Sequence, residues 1–172
     1  NSKGEWHGIN TDVEGLIYPL QNLNLAKKKA IILGSGGAAR SAIQGLINLN
    51  MSEIIIISRN QISLDNLFND FKNQKLIKGI FFKDPNILNL INSADLIVNT
   101  TPVGMINPKS LKEELPFGDN FWRSLNSKTV IYDLIYNPQE THLLNLARAK
   151  GCQTINGMKM LVAQGAKSLS YW

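Results

Sequence analysis

The stretch AIILGSGGAAR, residues 30–40, decides the fold. Its apolar first part, residues 30–33, is typical of a buried strand, and the glycines that follow it predict a tight turn. After the turn, apolar residues recur at helical spacing, at Ala39, Ala42, Ile43, Leu46 and Ile47. A strand, a glycine turn and a helix in this order open a βαβ unit, from which parallel sheets are built.

The same alternation continues along the rest of the chain. Further strand-like runs are SEIIIISRN, IKGIFF, DLIVNT, KTVIYDLIY and CQTIN, and helical patterns are SLDNLFNDF, PNILNLINSA, QETHLLNLARAKG and MKMLVAQGAKSLSYW. Because crossovers between parallel strands are right-handed, we expect an α/β, Rossmann-like doubly wound sheet of six strands in the order 3-2-1-4-5-6, with helices on both faces. Residues 101–127 predict a long loop with short helical turns, and such loops are usually functional.

Composition and charge restrict the possible functions. The 172 residues suit one domain, and the 44% hydrophobic and 18% charged content is typical of a globular protein. The single cysteine, Cys152, is expected in a buried strand; it excludes a disulfide framework and a cysteine-based zinc site within the chain and favours a cytoplasmic location. No apolar run has the length of a membrane span, and no metal is expected. The net charge of +5 comes from scattered Lys and Arg, which disfavours nucleic acid and suits a phosphorylated cofactor.

The glycine turn has the spacing of a dinucleotide-binding loop. Gly34, Gly36 and Ala39 follow the pattern G-x-G-x-x-A. Gly34 permits the tight turn, Gly36 lets the backbone approach a pyrophosphate, and Ala39 lets the helix pack closely on the strand. Phosphates would then lie on free N–H groups at the helix start, where the helix dipole favours negative charge. We therefore predict dinucleotide binding in preference to a purely structural turn.

The end of the second strand indicates which dinucleotide binds. NAD sites usually carry an acid there to bind the ribose diol, whereas NADP sites carry an arginine that faces the 2′-phosphate. Here the sequence is Ser58-Arg59-Asn60, with no acid. We predict NADP, with Arg59 on the phosphate and with added hydrogen bonds from Ser58, Asn60 and Ser63; the alternative is that Arg59 is an ordinary surface residue.

The opening WHGINTDVEG, residues 6–15, places a carboxylate at the start of a predicted helix. Two explanations of Asp12 compete. It is either a catalytic acid or an acid favoured by the helix dipole in the first turn of a helix whose capping box is Thr11 and Glu14, in the T-x-x-E pattern. Pro19 is expected to kink or end this helix.

The motifs GINTDVEG, GSGGAAR, SRN, ADLIVNTTPVGM, YDLIYNP and NGMKMLVAQGA occur in an order that closely resembles the shikimate dehydrogenases. The resemblance implies one NADP-binding domain over residues 1–172, in which residues 1–24 lead from a substrate domain and residues 25–172 form the Rossmann part. It also implies the reversible NADPH-dependent reduction of 3-dehydroshikimate to shikimate, a reaction of aromatic amino-acid (chorismate) biosynthesis.

The resemblance assigns roles residue by residue. Asp12 is the catalytic acid, which also binds the substrate, and Tyr136 and Gln164 are further substrate contacts. The pyrophosphate loop comprises Gly34, Ser35, Gly36, Gly37 and Ala38. Thr101 resembles a loop residue that lines the cofactor, Leu134 and Gly157 resemble positions at its nicotinamide end, and Met160 packs nearby. Ser58 and Asn60 depart from the family's pattern at the 2′-phosphate.

The family's catalytic lysine and its substrate-anchoring serines and asparagine belong to an N-terminal domain that has no match in this chain. We therefore expect a cofactor-binding but catalytically incomplete chain that shares its small-molecule substrate with that domain, without nucleic-acid or membrane partners. Three alternatives stay open: a quinate/shikimate dehydrogenase that uses NAD, the NADP domain of another oxidoreductase such as glutamyl-tRNA reductase, and a non-catalytic nucleotide-sensing module. GINTD argues against the second, and the sequence does not indicate the oligomeric state.

Overall fold

A computed structural model of the chain describes residues 10–105 and 118–172. In these ranges one parallel sheet contains β1 (Lys29–Leu33), β2 (Glu53–Ser58), β3 (Ile77–Phe81), β4 (Leu96–Asn99), β5 (Val130–Asp133) and β6 (Gln153–Ile155). The order across the sheet is β3-β2-β1-β4-β5-β6, and every neighbouring pair is parallel. This order confirms the Rossmann-like doubly wound fold that the sequence predicts.

The helices alternate with the strands. They are α1 (Asp12–Ile17), α2 (Gly37–Asn48), α3 (Gln61–Asp70), α4 (Ile87–Ser93), α5 (Gly118–Ser124), α6 (His142–Ala149) and α7 (Met158–Leu169). The α1 helix ends at Ile17, and Pro19 lies in a 3₁₀ turn, Tyr18–Leu20, directly after it. Pro19 therefore ends the helix, one of the two outcomes predicted, because proline lacks the N–H that an α-helix interior requires.

The sheet separates two apolar cores. Alternate side chains of a strand point to opposite faces, so Ala30 and Ile32 of β1 enter the core under α1, α2 and α3, whereas Ile31 and Leu33 enter the core under α4, α5 and α6. Both faces of the central strands are covered, which explains their continuous apolar sequence. The sheet is thus packed on both faces, and this packing fixes the positions of the carboxyl ends of its strands.

Some boundaries differ from the sequence prediction. Cys152 is buried, with 6% exposed, but it lies one residue before β6, and its Sγ donates to the Asn126 carbonyl oxygen over 3.4 Å. The helical pattern PNILNLINSA begins at Pro85, whereas α4 begins two residues later, at Ile87. Of the predicted loop 101–127, residues 118–124 form α5 and residues 106–117 lie outside the described part of the chain.

The described helices and side chains bear on membrane crossing and on metal binding. Across residues 10–105 and 118–172, no helix combines the length and the apolar character needed to cross a membrane. Within the same ranges, no group of three or more His, Cys, Asp or Glu side chains is placed to hold a metal ion.

Candidate functional site

The carboxyl ends of β1 and β4 mark the candidate site. From β1 the chain continues through α2 to β2 on one side, whereas from β4 it continues to β5 on the other side. Ligands of doubly wound sheets bind in the crevice outside the strand ends at such a switch point. The loops that begin there, residues 34–36 and residues 100–105, therefore form the starting point for the site.

The loop after β1 takes its shape from Gly34, whose φ of +106° is one that other residues rarely adopt. A Cβ added at Gly34 would lie 2.9 Å from Oγ1 of Thr100, so the loops after β1 and β4 are in direct contact. At Gly36 and Gly37, by contrast, an added Cβ would meet nothing within 4 Å. Open space therefore adjoins the backbone at these two glycines, as the close approach of a ligand requires.

The amino end of α2 offers backbone donors to that space. Gly36 is the N-cap residue, and the helix starts without a hydrogen bond from a capping side chain. The first N–H groups of a helix have no acceptor within the helix, and the helix dipole adds to their attraction for anions. Gly36, Gly37 and Ala38 are all exposed. A phosphate group can therefore bind to the backbone at this helix start.

Two buried serines connect the glycine loop to β2. The hydroxyl groups of Ser35 and Ser58 form a hydrogen bond of 2.8 Å, and the Asn60 N–H donates to Oγ of Ser58 over 3.1 Å. The Ser58 hydroxyl thus has partners within the protein and fixes the glycine loop against the end of β2. A further bond from Ser58 to a cofactor phosphate stays a prediction.

Arg59 lies at the exposed turn between β2 and α3. Asn60 is the N-cap residue of α3, and its Oδ1 accepts a hydrogen bond of 3.0 Å from the Ser63 N–H. This cap satisfies a helix-end donor and holds the turn that carries Arg59. In the structure, Asn60 and Ser63 therefore have a structural role at the start of α3. The cofactor contacts predicted for them stay predictions.

These segments enclose a first cleft of about 230 Å³. Its walls come from the ends of β1, β2 and β3 and from the loop after β4, and they comprise Leu33, Gly34, Ser35, Gly36, Ile57, Ser58, Arg59, Asn60, Phe82, Thr100, Thr101, Pro102 and Val103. The half-buried Phe82 supplies an aromatic wall that was not predicted from the sequence. The cleft thus combines backbone N–H groups, an arginine and an aromatic ring, which suits a nucleotide.

A second cleft, of about 270 Å³, lies on the other side of the loop after β4. It is lined by Thr100, Thr101, Pro102, Met105, Leu134, Ile135 and Tyr136. The structure therefore brings together three residues singled out from the sequence, Thr101, Leu134 and Tyr136. Thr101 also lines the first cleft, so this residue stands between the two.

The start of α7 is in direct contact with the residues that follow β5. A Cβ added at Gly157 would overlap the carbonyl oxygen of Leu134, and the Gly157 N–H donates to the carbonyl oxygen of Ile135 over 2.9 Å. Only glycine allows this approach, since any side chain would push the two segments apart. Met160, one turn further along α7, is half-buried and packs against the core on that face of the sheet.

The first and last helices of the described chain are paired. A Cβ added at Gly15 would lie 2.8 Å from Cβ of Gln164, and Oγ1 of Thr11 lies 3.0 Å from Oγ of Ser168. Asp12, the first residue of α1, is half-buried. The predicted catalytic acid and the predicted substrate contact Gln164 are thus carried by two helices in direct contact.

The capping-box explanation of Asp12 is wrong in its main feature. Thr11 makes no side-chain hydrogen bond to the helix start, because its hydroxyl is engaged with Ser168. Instead, Oδ1 of Asn10 accepts a hydrogen bond of 2.9 Å from the Asp12 N–H. What remains of this alternative is an acid in the first turn, which the helix dipole favours without a capping box.

Three buried polar residues beside the clefts were not predicted from the sequence. Asn99 ends β4, Asp133 ends β5 and Thr141 caps α6, and all three are at most 1% exposed. A signal was present, since the apolar runs LIVN and VIYD each end on a polar residue at the carboxyl end of a strand. The burial and mutual contact of these side chains depend on strand pairing, which the sequence alone does not display.

Comparison with known sequences identifies relatives. A sequence model of the family described as Shikimate / quinate 5-dehydrogenase matches residues 19–114. The chain is 62% identical over 172 residues to the shikimate dehydrogenase (NADP(+)) of Prochlorococcus marinus (strain MIT 9215), which covers 100% of this chain and 60% of that protein. It is 39% identical over 171 residues to the protein of the same name from Synechocystis sp. (strain ATCC 27184 / PCC 6803 / Kazusa), with coverage of 97% and 58%. The chain thus spans about 60% of the length of the curated relatives that it matches.

Solved structures give the same relationship. The quinate dehydrogenase from Corynebacterium glutamicum in complex with NAD superposes with a TM-score of 0.80 at 25% identity, over 98% of this chain and 58% of that one. The shikimate dehydrogenase from Aquifex aeolicus superposes with a TM-score of 0.76 at 29% identity, over 95% of this chain and 55% of that one. Both likenesses thus extend over at least 95% of this chain.

Proposed function

The chain belongs to the shikimate/quinate 5-dehydrogenase family, and we propose that it forms the NADP-binding part of a shikimate dehydrogenase. The reaction is the reversible NADPH-dependent reduction of 3-dehydroshikimate to shikimate, on the route to chorismate and the aromatic amino acids. Relatives at about 60% identity carry the name shikimate dehydrogenase (NADP(+)), which supports this assignment. A cytoplasmic location of the whole enzyme is part of the proposal.

The observation that carries the proposal is the open, uncapped amino end of α2 at the switch point of the sheet. An added Cβ at Gly36 or Gly37 would meet nothing within 4 Å, and no side chain caps the helix. A pyrophosphate can therefore lie against the backbone N–H groups of residues 34–38, as in other doubly wound dinucleotide sites.

The choice of NADP over NAD rests on the end of β2. An acid there would repel a 2′-phosphate, and the chain has Ser58, Arg59 and Asn60 in its place. Arg59 lines the first cleft, where its guanidinium can form charge-assisted hydrogen bonds with a phosphate. Phe82 lines the same cleft and offers an apolar surface to the adenine base.

The second cleft is assigned to the nicotinamide end and to the substrate. Thr101 and Leu134, which line the cleft, orient the nicotinamide, and Tyr136, also in the lining, contacts the substrate. Gly157 and Met160 at the start of α7 complete the nicotinamide end, and Gln164, further along α7, completes the substrate contacts. The bound cofactor supplies the hydride, while the chain supplies orientation and proton handling. Asp12 holds the proton of the reacting substrate hydroxyl together with a lysine from outside this chain, and such acid–base assistance is worth about 10²–10⁴-fold in rate.

Calorimetric titration of the 172-residue chain with NADPH and NADH tests the cofactor assignment. We expect tighter binding of NADPH, and we expect Arg59→Ala to weaken NADPH binding roughly ten- to a hundredfold with little effect on NADH, since a hydrogen bond to a charged group contributes about 1.5–3 kcal/mol. Arg123→Ala is the matched control, because Arg123 is an exposed arginine on α5 that lines neither cleft. Equal affinities of the unmodified chain for the two cofactors would refute the choice of NADP.

A further inference from the structure

A buried hydrogen-bonded network joins the carboxyl ends of β4 and β5. Asn99 and Asp133 are both 0% exposed and stand opposite each other in the strand register. Nδ2 of Asn99 donates to Oδ1 of Asp133 over 3.0 Å. The Ile135 N–H donates to the same oxygen over 3.2 Å, and the Thr141 hydroxyl donates to Oδ2 over 2.6 Å.

Burial opposes the charge of the carboxyl at the centre of this network. Burial raises the pKa of the Asp133 carboxyl, against the opposing effect of hydrogen bonds from Thr141, the Ile135 N–H and Asn99. In residues 10–105 and 118–172, no lysine or arginine forms an ion pair with this carboxyl. Burying a charge without a counter-charge opposes folding. In the described structure, hydrogen bonds rather than an ion pair compensate this carboxyl.

One arm of the network fixes the loop between the two clefts. Oδ1 of Asn99 accepts hydrogen bonds from the Thr101 N–H over 3.1 Å and from the Thr101 hydroxyl over 2.7 Å. Oγ1 of Thr101 in turn accepts from the Val103 N–H over 3.2 Å. Thr101 lines both clefts and Val103 lines the first, so Asn99 sets the position of their shared wall.

The other arm fixes the opposite wall of the second cleft. The Ile135 N–H is bonded to Asp133, and the Ile135 carbonyl oxygen accepts from the Gly157 N–H, which holds the start of α7. Oγ1 of Thr141, while donating to Asp133, also accepts from the Leu144 N–H and caps α6. One carboxyl group thus connects three segments around the second cleft.

We propose that Asp133 is a positioning residue for the nicotinamide end of the cofactor. Through Asn99 it sets the place of Thr101, and through its bond from the Ile135 N–H it sets a second lining residue of the same cleft. Its bond from Thr141 ties the start of α6 to the same carboxyl. This inference rests on the proposed function, because it requires the dinucleotide to extend from the first cleft into the second.

The experiment compares two ligands on the 172-residue chain. NADPH spans both clefts, whereas adenosine 2′,5′-bisphosphate carries only the adenine and 2′-phosphate end. In Asp133→Asn the amide nitrogen cannot accept hydrogen bonds, so at least one of the three donors loses its partner. We expect the Kd of NADPH to rise about tenfold, the effect of one lost buried hydrogen bond, and the Kd of adenosine 2′,5′-bisphosphate to stay within about twofold.

A second set of variants separates positioning from loss of folding. Thr141→Val removes the hydroxyl that bonds Asp133, and Thr141→Ser retains it; we expect the first to weaken NADPH binding selectively and the second to restore it. The matched control is Thr129→Val, since Thr129 is equally buried and donates to the Ala94 carbonyl oxygen over 2.8 Å at the opposite end of β5. It should lower stability and leave both affinities within about twofold.

The binding of the two ligands shows whether the inference, or the proposed function as well, is wrong. An equal loss of affinity for both ligands in Thr141→Val would show a general structural role and overturn the inference, as would unchanged NADPH binding. If Asp133→Asn does not fold, the Thr141 pair decides the question in the same way. An unmodified chain that binds adenosine 2′,5′-bisphosphate and NADPH equally well would overturn the inference alone, whereas one that binds neither would overturn the proposed function as well.

Discussion

Gly34 and Gly36 stand two residues apart in the same loop, but a methyl group at each would meet different surroundings. At Gly34 the methyl group would lie only 2.9 Å from Oγ1 of Thr100. The backbone φ of +106° at this position is also one that residues with a side chain rarely adopt. At Gly36, where φ is −84°, the methyl group would point into open space. The first glycine is therefore required by the fold, whereas the second is free of any such requirement in the chain itself.

This difference gives a prediction for a pair of variants. Gly34→Ala should lower the free energy of unfolding by about 1–3 kcal/mol, the cost of a strained backbone. Gly36→Ala should stay within about 0.5 kcal/mol of the unmodified chain. It should nevertheless bind NADPH at least about tenfold more weakly, since the methyl group occupies the space that the pyrophosphate needs. Thermal unfolding and calorimetry measure the two effects; unchanged NADPH binding by Gly36→Ala would place the pyrophosphate elsewhere.

Tyr132 is a further residue whose replacement is informative. It is fully buried in β5, and its hydroxyl is the buried side-chain oxygen for which the described residues offer no hydrogen-bond partner. Burial also raises the pKa of this hydroxyl. Because an unsatisfied buried polar group opposes folding, Tyr132→Phe should raise the free energy of unfolding by about 1 kcal/mol in denaturant titration. A loss of stability would indicate that a buried water molecule satisfies the hydroxyl.

At the scale of elements, the amino ends of β1, β2 and β3 carry a charge cluster on the side opposite the clefts. Glu53 of β2 forms ion pairs with Lys78 of β3 and Lys29 of β1, and its side chain is 19% exposed. The Lys78 hydrogen bond holds the pKa of the Glu53 carboxyl below its usual 4.5, against the opposing effect of burial. The unfolded chain therefore takes up the proton at higher pH than the folded chain does.

The sign of the pH dependence follows. Glu53 contributes stability above about pH 4.5, and this contribution is lost as the pH falls through the lowered pKa of the folded state. At neutral pH, Glu53→Gln should be less stable by about 0.2–1 kcal/mol, the range of surface ion pairs, and the difference should shrink in acid. Asp65→Asn, at an exposed aspartate in the middle of α3 for which the described residues show no ion pair, is the control. A difference that grew in acid would contradict the assignment of the ion pairs.

The elements also separate what the sequence could predict from what it could not. The strand order followed from apolar runs and from the glycine turn, because both are local patterns with one favoured topology. The caps did not follow: Thr11 matches a capping pattern, yet its hydroxyl bonds Ser168 in α7, at the far end of the chain. The hydrogen bond between Ser58 and Ser35, 23 residues earlier, was likewise not predicted, and a bond from Ser58 to a cofactor phosphate stays a prediction. Such competition between distant partners has no signature in a short motif.

At the scale of the whole molecule, the helix that carries Asp12, α1, packs directly against α7. Because the chain spans about 60% of its relatives' length, we expect only part of the catalytic machinery within it. The 172-residue chain should bind NADPH and show no shikimate-dependent NADPH formation, since orientation of the substrate contributes about 7–11 kcal/mol to lowering the barrier. Robust turnover by these residues alone would contradict this prediction.

The same expectation extends to an enzyme completed with the remaining part of a relative's chain. Activity should then appear, and Asp12→Asn in that enzyme should lower kcat about 10²-fold or more while NADPH affinity stays nearly intact. A kcat within about twofold of the unmodified enzyme would favour the first-turn acid explanation, in which Asp12 only complements the helix dipole.

The rate at which the buried thiol of Cys152 reacts can report how often this part of the folded chain opens. It is the single thiol and is 6% exposed, and burial raises its pKa, so we expect a thiol reagent to react with it mainly when the β5–β6 edge of the sheet opens. The labelling rate therefore measures how often one half of the sheet opens, whereas the first cleft, which we propose for the adenine and pyrophosphate of NADPH, lies on the other half. If both halves open as one cooperative unit, NADPH at about 100 times its Kd should slow labelling about a hundredfold; if the edge frays independently, the rate should not change.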